Sequence, residues 1–489
     1  MNRILYLTSE LFPLIKTGGL ADVSGSLPDA LVKRQQEMRI LLPAYPEVMQ
    51  QVEQPILLAS NRYYNQEVQL LETRLPGNGL TVWLVHCPAA FDRPGGPYID
   101  DNGEPWHDNA LRFAIFCLVA VDIALSRLDL GWRPDIVHGN DWQSGLVPAL
   151  LHLHTNRPAT VFTIHNLAYQ GLFDYQTFLD LNLPARLWHP DGLEFYGQLS
   201  FIKGGLAFAD RLNTVSPTYA REILQPKFGY GLEGLLRHRR QRLSGILNGI
   251  DNRVWNPQED PHLPAPYGVT NLEQKGVNKT YLQAQLGLPV DGETPLVSMI
   301  SRLVEQKGLE IILRGMEELL AMPLQLVIVG TGEIHYEIQL TEWASRHPTQ
   351  MKVVIGYNEP LSHLLEAASD LFLMPSSFEP CGLNQLYSLR YGTLPIVRDV
   401  GGLADTVIDA NPAQIKTRTA NGFIIPAQTA PDLLATVRRA LDLYRQPDTW
   451  HQLQTTAMAC DYSWNASAAH YIDLYHQALA DRDRDAHQL

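Results

Sequence analysis

Residues 296–330 read LVSMISRLVEQKGLEIILRGMEELLAMPLQLVIVG. Two short apolar runs, Leu296–Ser301 and Leu324–Gly330, enclose a longer amphipathic segment at about Gly308–Met322. Continuous Val, Ile and Leu runs of this length are typical of parallel strands that are covered on both faces, and the segment between them has the pattern of a helix. The stretch therefore predicts one strand–helix–strand unit of a doubly wound sheet.

The same alternation extends in both directions along the chain. It predicts a second helix at about Glu333–Arg346. Further strands are predicted at Ile4–Ser9, Met38–Pro43, Thr81–His86, Asp135–His138, Ala159–His165, Arg211–Ser216, Met351–Tyr357, Leu371–Ser376 and Leu394–Asp399. The proline-rich region Asp251–Pro295 separates the two groups of strands. We therefore expect an α/β protein with two Rossmann-like domains whose strand ends face a deep cleft.

Composition excludes several classes of protein. Of the 489 residues, 45% are hydrophobic and 18% are charged, which is normal for globular domains with large cores. The formal net charge of −14 argues against a general nucleic-acid binder. No apolar run approaches the ~20 residues that span a bilayer. The four cysteines are scattered without a CxxC pair, so we expect reduced thiols, no metal site and a cytoplasmic protein without a membrane segment.

The first motif that carries chemistry is Lys16-Thr17-Gly18-Gly19-Leu20-Ala21-Asp22-Val23, directly after the first predicted strand. Glycines let backbone N–H groups approach a phosphate closely, and a helix N-terminus favours an anion there. Lys16 adds a positive charge at the same place. An ordinary glycine-containing turn is the alternative, since the motif is neither G-x-G-x-x-G nor a Walker A loop.

Two further motifs follow strands of the second group. Arg302 and Lys307 flank a strand-to-helix turn, from which two cations can stabilise a diphosphate as a leaving group. The alternative interpretation is that Arg302 and Lys307 are solvated side chains on a loop, without a ligand. Ser376–Asn384 contains Glu379 before a proline, and Gly382, which permits close approach of the backbone. A carboxylate placed at a helix N-terminus is the alternative for Glu379.

A fourth group lies in the first domain, where His138–Trp142 and Thr163–Asn166 each follow a predicted strand. A histidine or aspartate at a strand end is often a structural hydrogen-bonding residue. The convergence of several polar strand ends nevertheless favours a functional site. By contrast, Gly330-Thr331-Gly332 has no third glycine at the spacing of a dinucleotide site, which argues against a nicotinamide dehydrogenase.

Together these motifs closely resemble those of the bacterial glycogen synthase and plant starch synthase family, from the first strand to about Trp464. The similarity also includes Arg93–Tyr98, Lys203–Gly205, Thr214–Ala220, Phe228–Gly234, Leu247–Asp251, Trp255–Pro257, Gly356–Glu359 and Gly401–Thr406. The resemblance implies a GT-B glucosyltransferase with an acceptor-side domain at 1–248 and a nucleotide-sugar-binding domain at 249–462. Residues 463–489 would form a helix that crosses back to the first domain, followed by a frayed tail, since the run Asp481–Asp485 alternates in charge.

The resemblance further implies ADP-glucose as donor, an α-1,4-glucan end (glycogen or starch) as acceptor, and no metal or other cofactor. It implies retention of anomeric configuration through attack on the face from which the diphosphate leaves, with no covalent nucleophile. By position, the catalytic residues would be His165, Arg302, Lys307, Glu379 and Lys16. The substrate-binding residues would be Gly18, Gly19, Asp22, Tyr98, Asp141, Asn166, Asn248, Tyr357, Cys381, Gly382, Leu383 and Asn384.

This chain departs from the usual family pattern at several positions. Asn140 and Gln143 stand where the family commonly has histidines, Asn384 stands where threonine is common, and Ser200 stands where asparagine is frequent. Asparagine and glutamine do not titrate, so we expect no proton transfer at 140 and 143. Two other interpretations remain open: a GT-B transferase that uses UDP-glucose, and a weakly active glucan-binding paralogue. The sequence does not indicate an oligomeric state.

Overall fold

The computed structural model describes residues 1–486, and these form two compact units. One unit runs from Met1 to Gly249 and includes the helix that begins at Trp464, and the other runs from Ile250 to Ser463. Both are built on parallel sheets with helices between successive strands, which confirms the α/β, doubly wound class. No helix within residues 1–486 is both long and apolar enough to cross a membrane.

The first unit contains a nine-stranded sheet and a small three-stranded sheet. The strands are β1 (Arg3–Leu7), β2 (Glu37–Pro43), β3 (Ile56–Tyr63), β4 (Gln66–Arg74), β5 (Thr81–His86), β6 (Ile136–Asn140), β7 (Ala159–Ile164), β8 (Leu172–Phe173), β9 (Glu194–Phe195), β10 (Gln198–Ser200), β11 (Arg211–Thr214) and β12 (Leu243–Gly245). The large sheet has the order β12-β11-β7-β6-β1-β2-β5-β4-β3 and is parallel from β12 to β5.

Helices connect these strands. They are α1 (Gly19–Lys33), α2 (Pro46–Gln51), α3 (Pro88–Phe91), α4 (Asn109–Ala124), α5 (Leu146–Leu151), α6 (Tyr175–Asp180), α7 (Phe201–Phe208), α8 (Pro217–Glu222), α9 (Pro226–Gly229) and α10 (Glu233–His238). Capping residues determine where some of these helices begin. Asp174 and Ser216 accept hydrogen bonds from backbone N–H groups in the first turns of α6 and α8, and α8 has proline at its first position.

All six strands predicted for the first domain are present, and β5 has the predicted bounds. The antiparallel pair β3 and β4 was not predicted. Most residues of β3 are exposed or half-buried, so its sequence lacks the continuous apolar run of the covered parallel strands.

The second unit contains one six-stranded parallel sheet in the order β15-β14-β13-β16-β17-β18. Its strands are β13 (Leu296–Ile300), β14 (Gln325–Gly330), β15 (Met351–Ile355), β16 (Leu371–Met374), β17 (Leu394–Arg398) and β18 (Phe423–Ile425). Its helices are α11 (Lys275–Leu286), α12 (Leu309–Arg314), α13 (Met316–Leu320), α14 (Ile334–Arg346), α15 (Glu359–Ala368), α16 (Asn384–Arg390), α17 (Gly401–Thr406), α18 (Pro412–Thr417), α19 (Ala430–Tyr444) and α20 (Pro447–Met458).

The two helix predictions for this unit had different outcomes. The helix expected at about Glu333–Arg346 is confirmed as α14. The single helix expected at about Gly308–Met322 is wrong, because α12 and α13 replace it and meet at Gly315. Glycine has a low helix propensity, and the amphipathic pattern continues across it, so periodicity alone did not reveal the break.

The C-terminal helix, α21 (Trp464–Ala486), packs against the sheet of the first unit. Tyr471 and Tyr475 are fully buried in this contact. The Tyr475 hydroxyl lies 2.9 Å from Nδ1 of His138 on β6, and Asn213 on β11 donates a hydrogen bond to the Tyr471 hydroxyl at 3.2 Å. The last helix is therefore part of the core of the first unit.

The expectation of a frayed tail is wrong for the end of α21. Asp481 is only 2% exposed, and its carboxylate lies 2.5 Å from Nε of Arg211. Asp485, one helical turn later, pairs with Arg242 at 3.0 Å. The alternating charges were interpreted as solvated because the sequence does not show that two arginines of the first unit face this turn. Residues 487–489, which the expected tail included, lie outside the described residues.

Candidate active site

The predicted site residues gather at the ligand-binding edge of each sheet. The strand order reverses between β1 and β6 in the first sheet and between β13 and β16 in the second. In open α/β sheets, ligands bind outside the carboxyl ends of the strands at such a switch point. The segments that directly follow these four strands contain Lys16–Asp22, Asp141, Arg302–Lys307 and Glu379–Asn384.

The remaining predicted residues follow neighbouring strands of the same two sheets. In the first unit, Tyr98 follows β5, His165 and Asn166 follow β7, and Asn248 follows β12; in the second unit, Tyr357 follows β15. Since parallel strands end at a common edge, each unit collects its own candidate residues on one side of its sheet.

The glycine-rich loop of the first unit is held by a carboxylate that sequence reasoning missed. Glu10 is buried, and its Oε2 accepts hydrogen bonds from the backbone N–H groups of Thr17 and Gly18, at 2.7 and 2.8 Å. The Tyr98 hydroxyl donates to Oε1 of the same carboxylate at 2.7 Å. The N–H of Gly18 is thus already engaged, and α1 begins at Gly19 without a side-chain cap.

Lys16 and Asp22 form an ion pair across this loop, with Nζ 2.8 Å from Oδ1. Lys16 also lies over the ring of Phe12. The lysine is therefore oriented beside the N-terminus of α1. A carboxylate neighbour balances the positive charge that the sequence predicted at this place, so an incoming anion would compete with Asp22.

Asp141 occupies a strained and half-buried position directly after β6. Its φ of +52° is in the left-handed region, which non-glycine residues adopt rarely. Oδ1 accepts the backbone N–H of His165 at 2.7 Å, which ties the ends of β6 and β7 together. Burial raises the pKa of Asp141 to about 7, against the lowering effect of hydrogen bonds from the backbone of His165 and Asn166. Its carboxyl group therefore titrates near neutral pH.

His165 and Asn248 are two further polar groups at this edge of the first sheet. The imidazole of His165 lies with Nε2 2.9 Å from Oδ1 of Asn140, and burial lowers its pKa to about 3, so the ring is neutral at physiological pH. Asn248 is 6% exposed, and its Oδ1 has no hydrogen-bond partner within the described part of the chain. A buried amide oxygen of this kind is available to a hydroxyl donor.

In the second unit, Lys307 and Glu379 form the central ion pair. Nζ of Lys307 lies 2.6 Å from Oε2 of Glu379, which also accepts a hydrogen bond from the Ser376 hydroxyl at 3.1 Å. Arg302, five residues before Lys307, is exposed. This edge therefore presents one solvated guanidinium beside a half-buried lysine whose charge a carboxylate neutralises.

The backbone from Glu379 to Leu383 is shaped by glycines. Gly382 has a φ of +74°, a conformation that favours glycine. A Cβ at Gly401 would lie 1.9 Å from the carbonyl oxygen of Glu379, and a Cβ at Gly402 would lie 2.1 Å from that of Cys381. The Gly401–Gly402 pair thus lets α17 pack directly on this segment, a role that the sequence pattern alone did not reveal.

The last predicted residues take different positions around this segment. Asn384 begins α16, and its Nδ2 donates to the carbonyl oxygen of Ile300 at 2.7 Å, which ties α16 to the end of β13. Cys381 is buried, whereas Tyr357, after β15, is 64% exposed. Within residues 1–486, no group of three or more His, Cys, Asp or Glu side chains is arranged to hold a metal ion.

Comparison with known proteins identifies the family. Residues 3–238 match the model described as the starch synthase catalytic domain, and residues 286–454 match glycosyl transferases group 1. The chain is 56% identical to glycogen synthase 1 of Methylococcus capsulatus over 478 residues, which cover 98% of this chain and 97% of that protein. It is 54% identical to the glycogen synthase of Cellvibrio japonicus, over 97% and 99% of the two chains. The chain belongs to the glycogen synthase family.

Solved structures agree with this assignment. The catalytic domain of starch synthase IV from Arabidopsis thaliana, bound to ADP and acarbose, superposes with a TM-score of 0.88 at 31% identity, covering 98% of this chain and 99% of that one. The sucrose-phosphate synthase of Thermosynechococcus elongatus, with a TM-score of 0.60 and 17% identity, shares the fold alone. As a glycogen synthase, the protein is a glucosyltransferase with a GT-B type fold.

Within this glycogen synthase, the departures from the family pattern have distinct local environments. Asn140 and Gln143 are both buried beside β6, and Oε1 of Gln143 has no hydrogen-bond partner among the described residues. Ser200 caps α7, accepting a hydrogen bond from the N–H of Lys203 at 3.4 Å. Lys203 is mostly buried and donates to the carbonyl oxygens of Pro190 and Glu194, so it holds a loop in place.

Proposed function

We propose that this glycogen synthase transfers glucose from ADP-glucose to the non-reducing end of an α-1,4-glucan with retention of configuration, releasing ADP. The placement of the candidate cations and carboxylates at the switch points of two parallel sheets carries this proposal, because diphosphate ligands bind at such strand ends. The similar starch synthase IV domain, which was solved with ADP and the oligosaccharide analogue acarbose, supports the same classes of ligand.

In the second unit, which we propose as the nucleotide-sugar side, Arg302 and Lys307 contact the diphosphate. The leaving group gains negative charge as the bond from the anomeric carbon to the phosphate oxygen breaks, so preorganised cations stabilise the transition state more than the ground state. Glu379 then exchanges part of its pairing with Lys307 for hydroxyl groups of the glucosyl unit, together with the backbone of Cys381–Leu383. Tyr357, exposed after β15, offers its ring to the adenine.

In the first unit, which we propose as the acceptor side, Lys16 and Gly19 bind the diphosphate and sugar beside the N-terminus of α1. His165, Asn166 and Asn248 surround the glucose. Asp22, Tyr98 and Asp141, together with Gly18, complete the substrate contacts of this unit, and Asn384 adds one from the second unit.

Retention follows from attack on the face that the diphosphate leaves. The acceptor hydroxyl forms the new bond to the anomeric carbon as the bond to the phosphate oxygen breaks. Its proton passes to that departing oxygen, so neither a covalent enzyme intermediate nor a base from the protein is required. The neutral imidazole of His165 fits a role in binding the sugar rather than one in removing this proton.

The proposal is tested by incubating the purified protein with glycogen and either ADP-glucose or UDP-glucose, each labelled in the glucose, without added metal. Released nucleoside diphosphate and labelled polymer are measured in the same reaction, and the product is digested with an exo-enzyme specific for α-1,4 links. We expect ADP-glucose to give equal amounts of ADP and incorporated glucose, all of it released by the digestion.

Other outcomes contradict specific parts of the proposal. Preference for UDP-glucose would contradict the choice of donor. Label that resists the α-1,4-specific enzyme would contradict the linkage and its configuration. A folded protein that binds ADP and glycogen but incorporates no glucose from either donor would instead be a weakly active glucan-binding paralogue.

A further inference from the structure

We propose that Asn140 is a positioning residue that holds a hydrogen on Nε2 of His165, so that Nδ1 of the neutral ring is left as the hydrogen-bond acceptor for substrate. This inference rests on the proposed function, in which His165 contacts the glucosyl unit. It concerns position 140, where the resemblance in the sequence led us to expect a histidine.

The hydrogen bonds of Asn140 determine which way its amide faces. The residue is buried at the end of β6, and its Nδ2 lies 2.8 Å from the carbonyl oxygen of Leu7 on the adjacent strand β1. A carbonyl oxygen only accepts, so the amide nitrogen must face Leu7. The amide oxygen consequently faces the Tyr6 hydroxyl, at 3.3 Å, and Nε2 of His165, at 2.9 Å.

The amide oxygen in turn determines the tautomer of His165. Oδ1 of asparagine has no proton to donate, so Nε2 of His165 must carry the hydrogen of the 2.9 Å contact. In a neutral imidazole the other nitrogen, Nδ1, then has the lone pair. The ring can therefore accept a hydrogen bond from a sugar hydroxyl without any change of protonation.

The surroundings of His165 favour the neutral ring. Titratable groups in its surroundings include Tyr6 on β1, whose hydroxyl shares Oδ1 of Asn140, His138 on β6, and Asp141 directly after β6. Burial lowers the pKa values of His138 and His165 to about 3, and it raises that of Tyr6. Asp141 directs Oδ1 at the backbone N–H of His165 rather than at its ring. The contact that the imidazole makes through Nε2 is thus to a neutral amide.

Histidine at position 140 would remove this control. An imidazole can present either a donor or an acceptor to Nε2 of His165, and it can take up a proton of its own. Two adjacent rings could then exchange tautomers, and the acceptor at Nδ1 would be only partly populated. Asparagine presents only an acceptor to Nε2 in this orientation, and it does not titrate.

The direct test is NMR of protein labelled with ¹⁵N in its histidines, over pH 5.5–8.5, with the His165 signals assigned from their loss in His165→Gln. We expect Nε2 to show the shift of a protonated nitrogen and Nδ1 that of an unprotonated one, unchanged across the range. A protonated Nδ1, or a ring that titrates within this range, would overturn the proposal.

Three variants test the consequence for catalysis. Asn140→Leu keeps the branched shape of the side chain, at a somewhat larger volume, but offers neither the acceptor for His165 nor the donor to Leu7. We expect kcat with ADP-glucose to fall about 10-fold or more, since small errors in orientation cost rate. Asn140→His should recover part of this kcat while adding a further step to the pH profile below 7, from the new imidazole, beyond any step that Asp141 gives in the unmodified protein. Tyr6→Phe is the matched control, because it removes the other hydrogen bond to the same amide oxygen and should change kcat less than twofold.

The outcomes separate a positioning role from a merely structural one. Equal losses in Asn140→Leu and Tyr6→Phe, or an unchanged kcat in Asn140→Leu, would contradict positioning of His165. If Asn140→Leu does not fold, the tautomer measured in the unmodified protein and the pH profile of Asn140→His decide the question. Failure of the unmodified protein to use ADP-glucose would contradict the proposed function alone, since the NMR result does not depend on turnover.

Discussion

At the scale of single residues, the candidate site pairs its charges before any substrate arrives. Lys16 pairs with Asp22 in one unit, and Lys307 pairs with Glu379 in the other. A half-buried cation without a partner would pay a large cost of desolvation, so each carboxylate stabilises its lysine in the free protein. At each lysine, an incoming phosphate group can replace the carboxylate without leaving the lysine uncompensated.

Removing one of these cations should affect catalysis strongly. We expect Lys307→Ala to raise the barrier by roughly 2–4 kcal/mol, or to lower kcat about 30- to 1000-fold, because the positive charge acts on the leaving diphosphate. Arg314→Ala, which removes an exposed ion pair with Glu310 within α12, is the control and should leave kcat unchanged. Steady-state kinetics with ADP-glucose measure both, and near-normal kcat in Lys307→Ala would contradict the assignment.

A second residue-scale prediction concerns the pH dependence of stability. Glu366 on α15 is fully buried, and burial raises its pKa to about 8. At pH values between the ordinary pKa of a glutamate and about 8, the Glu366 carboxyl is protonated in the folded chain and ionised in the unfolded chain. The contribution of Glu366 to the free energy of unfolding therefore falls as the pH rises through this range. Lys275, whose pKa burial lowers to about 7, has the opposite effect only above that pH.

Glu366→Gln should therefore remove most of this dependence. An amide keeps an acceptor for the Ser388 hydroxyl, now 2.7 Å from Glu366, and cannot ionise. In urea titrations, we expect the free energy of unfolding of the unmodified protein to decrease by on the order of 2 kcal/mol between pH 5 and 7. We expect Glu366→Gln not to show this decrease. Glu318→Gln changes an exposed carboxylate of the same unit and should leave the decrease in place. If the free energy of unfolding changes with pH in the same way in all three proteins, the prediction is contradicted.

At the scale of elements, the sequence was informative where a physical pattern is strong and local. Covered parallel strands such as β5 and β14 have continuous apolar runs, so their positions were predicted within about one residue. The largely exposed β3 has no such pattern, and Gly315 breaks a helix without breaking its periodicity. The positions of Lys16, Lys307 and Glu379 after strands were predictable for the same reason.

What the sequence did not show are contacts between distant segments. Glu10 stabilises the glycine-rich loop because the chain after β1 folds back, so that its carboxylate reaches the N–H groups of Thr17 and Gly18. The residues next to Glu10 in the sequence do not indicate this contact. The orientation of Asn140 likewise depends on Leu7 and His165, residues more than 20 positions away. Asp481 depends on Arg211 in the same way.

The end of α21 gives the element-scale prediction. Asp481→Ala should destabilise the first unit by roughly 3 kcal/mol, because it leaves the mostly buried Arg211 without its partner. Asp483→Ala is the matched control two residues away, where the carboxylate is 61% exposed and pairs with its neighbour Arg482. That change should cost less than about 1 kcal/mol. Equal midpoints for the two variants in urea unfolding would show that the tail is solvated after all.

At the scale of the whole molecule, the proposed ligand and the protein both have a negative net charge. A chain with a formal charge of −14 repels a nucleoside diphosphate at long range, so binding of the diphosphate part must depend on the local cations at the strand ends. Ligand that binds only the folded state raises the free energy of unfolding, by about 2.7 kcal/mol at a concentration of 100 times Kd. Thermal unfolding of the complete chain thus reports on these local cations.

We expect ADP to raise the unfolding temperature of the protein more than UDP does at equal concentration, since the proposed donor contains adenine. The increase should shrink at high salt, because the contacts to the diphosphate are electrostatic. In Lys307→Ala the ADP-induced increase should be largely lost, whereas Arg314→Ala should retain it in full. Equal increases with ADP and UDP would contradict adenine recognition, and an increase that survives in Lys307→Ala would place the diphosphate away from the end of β13.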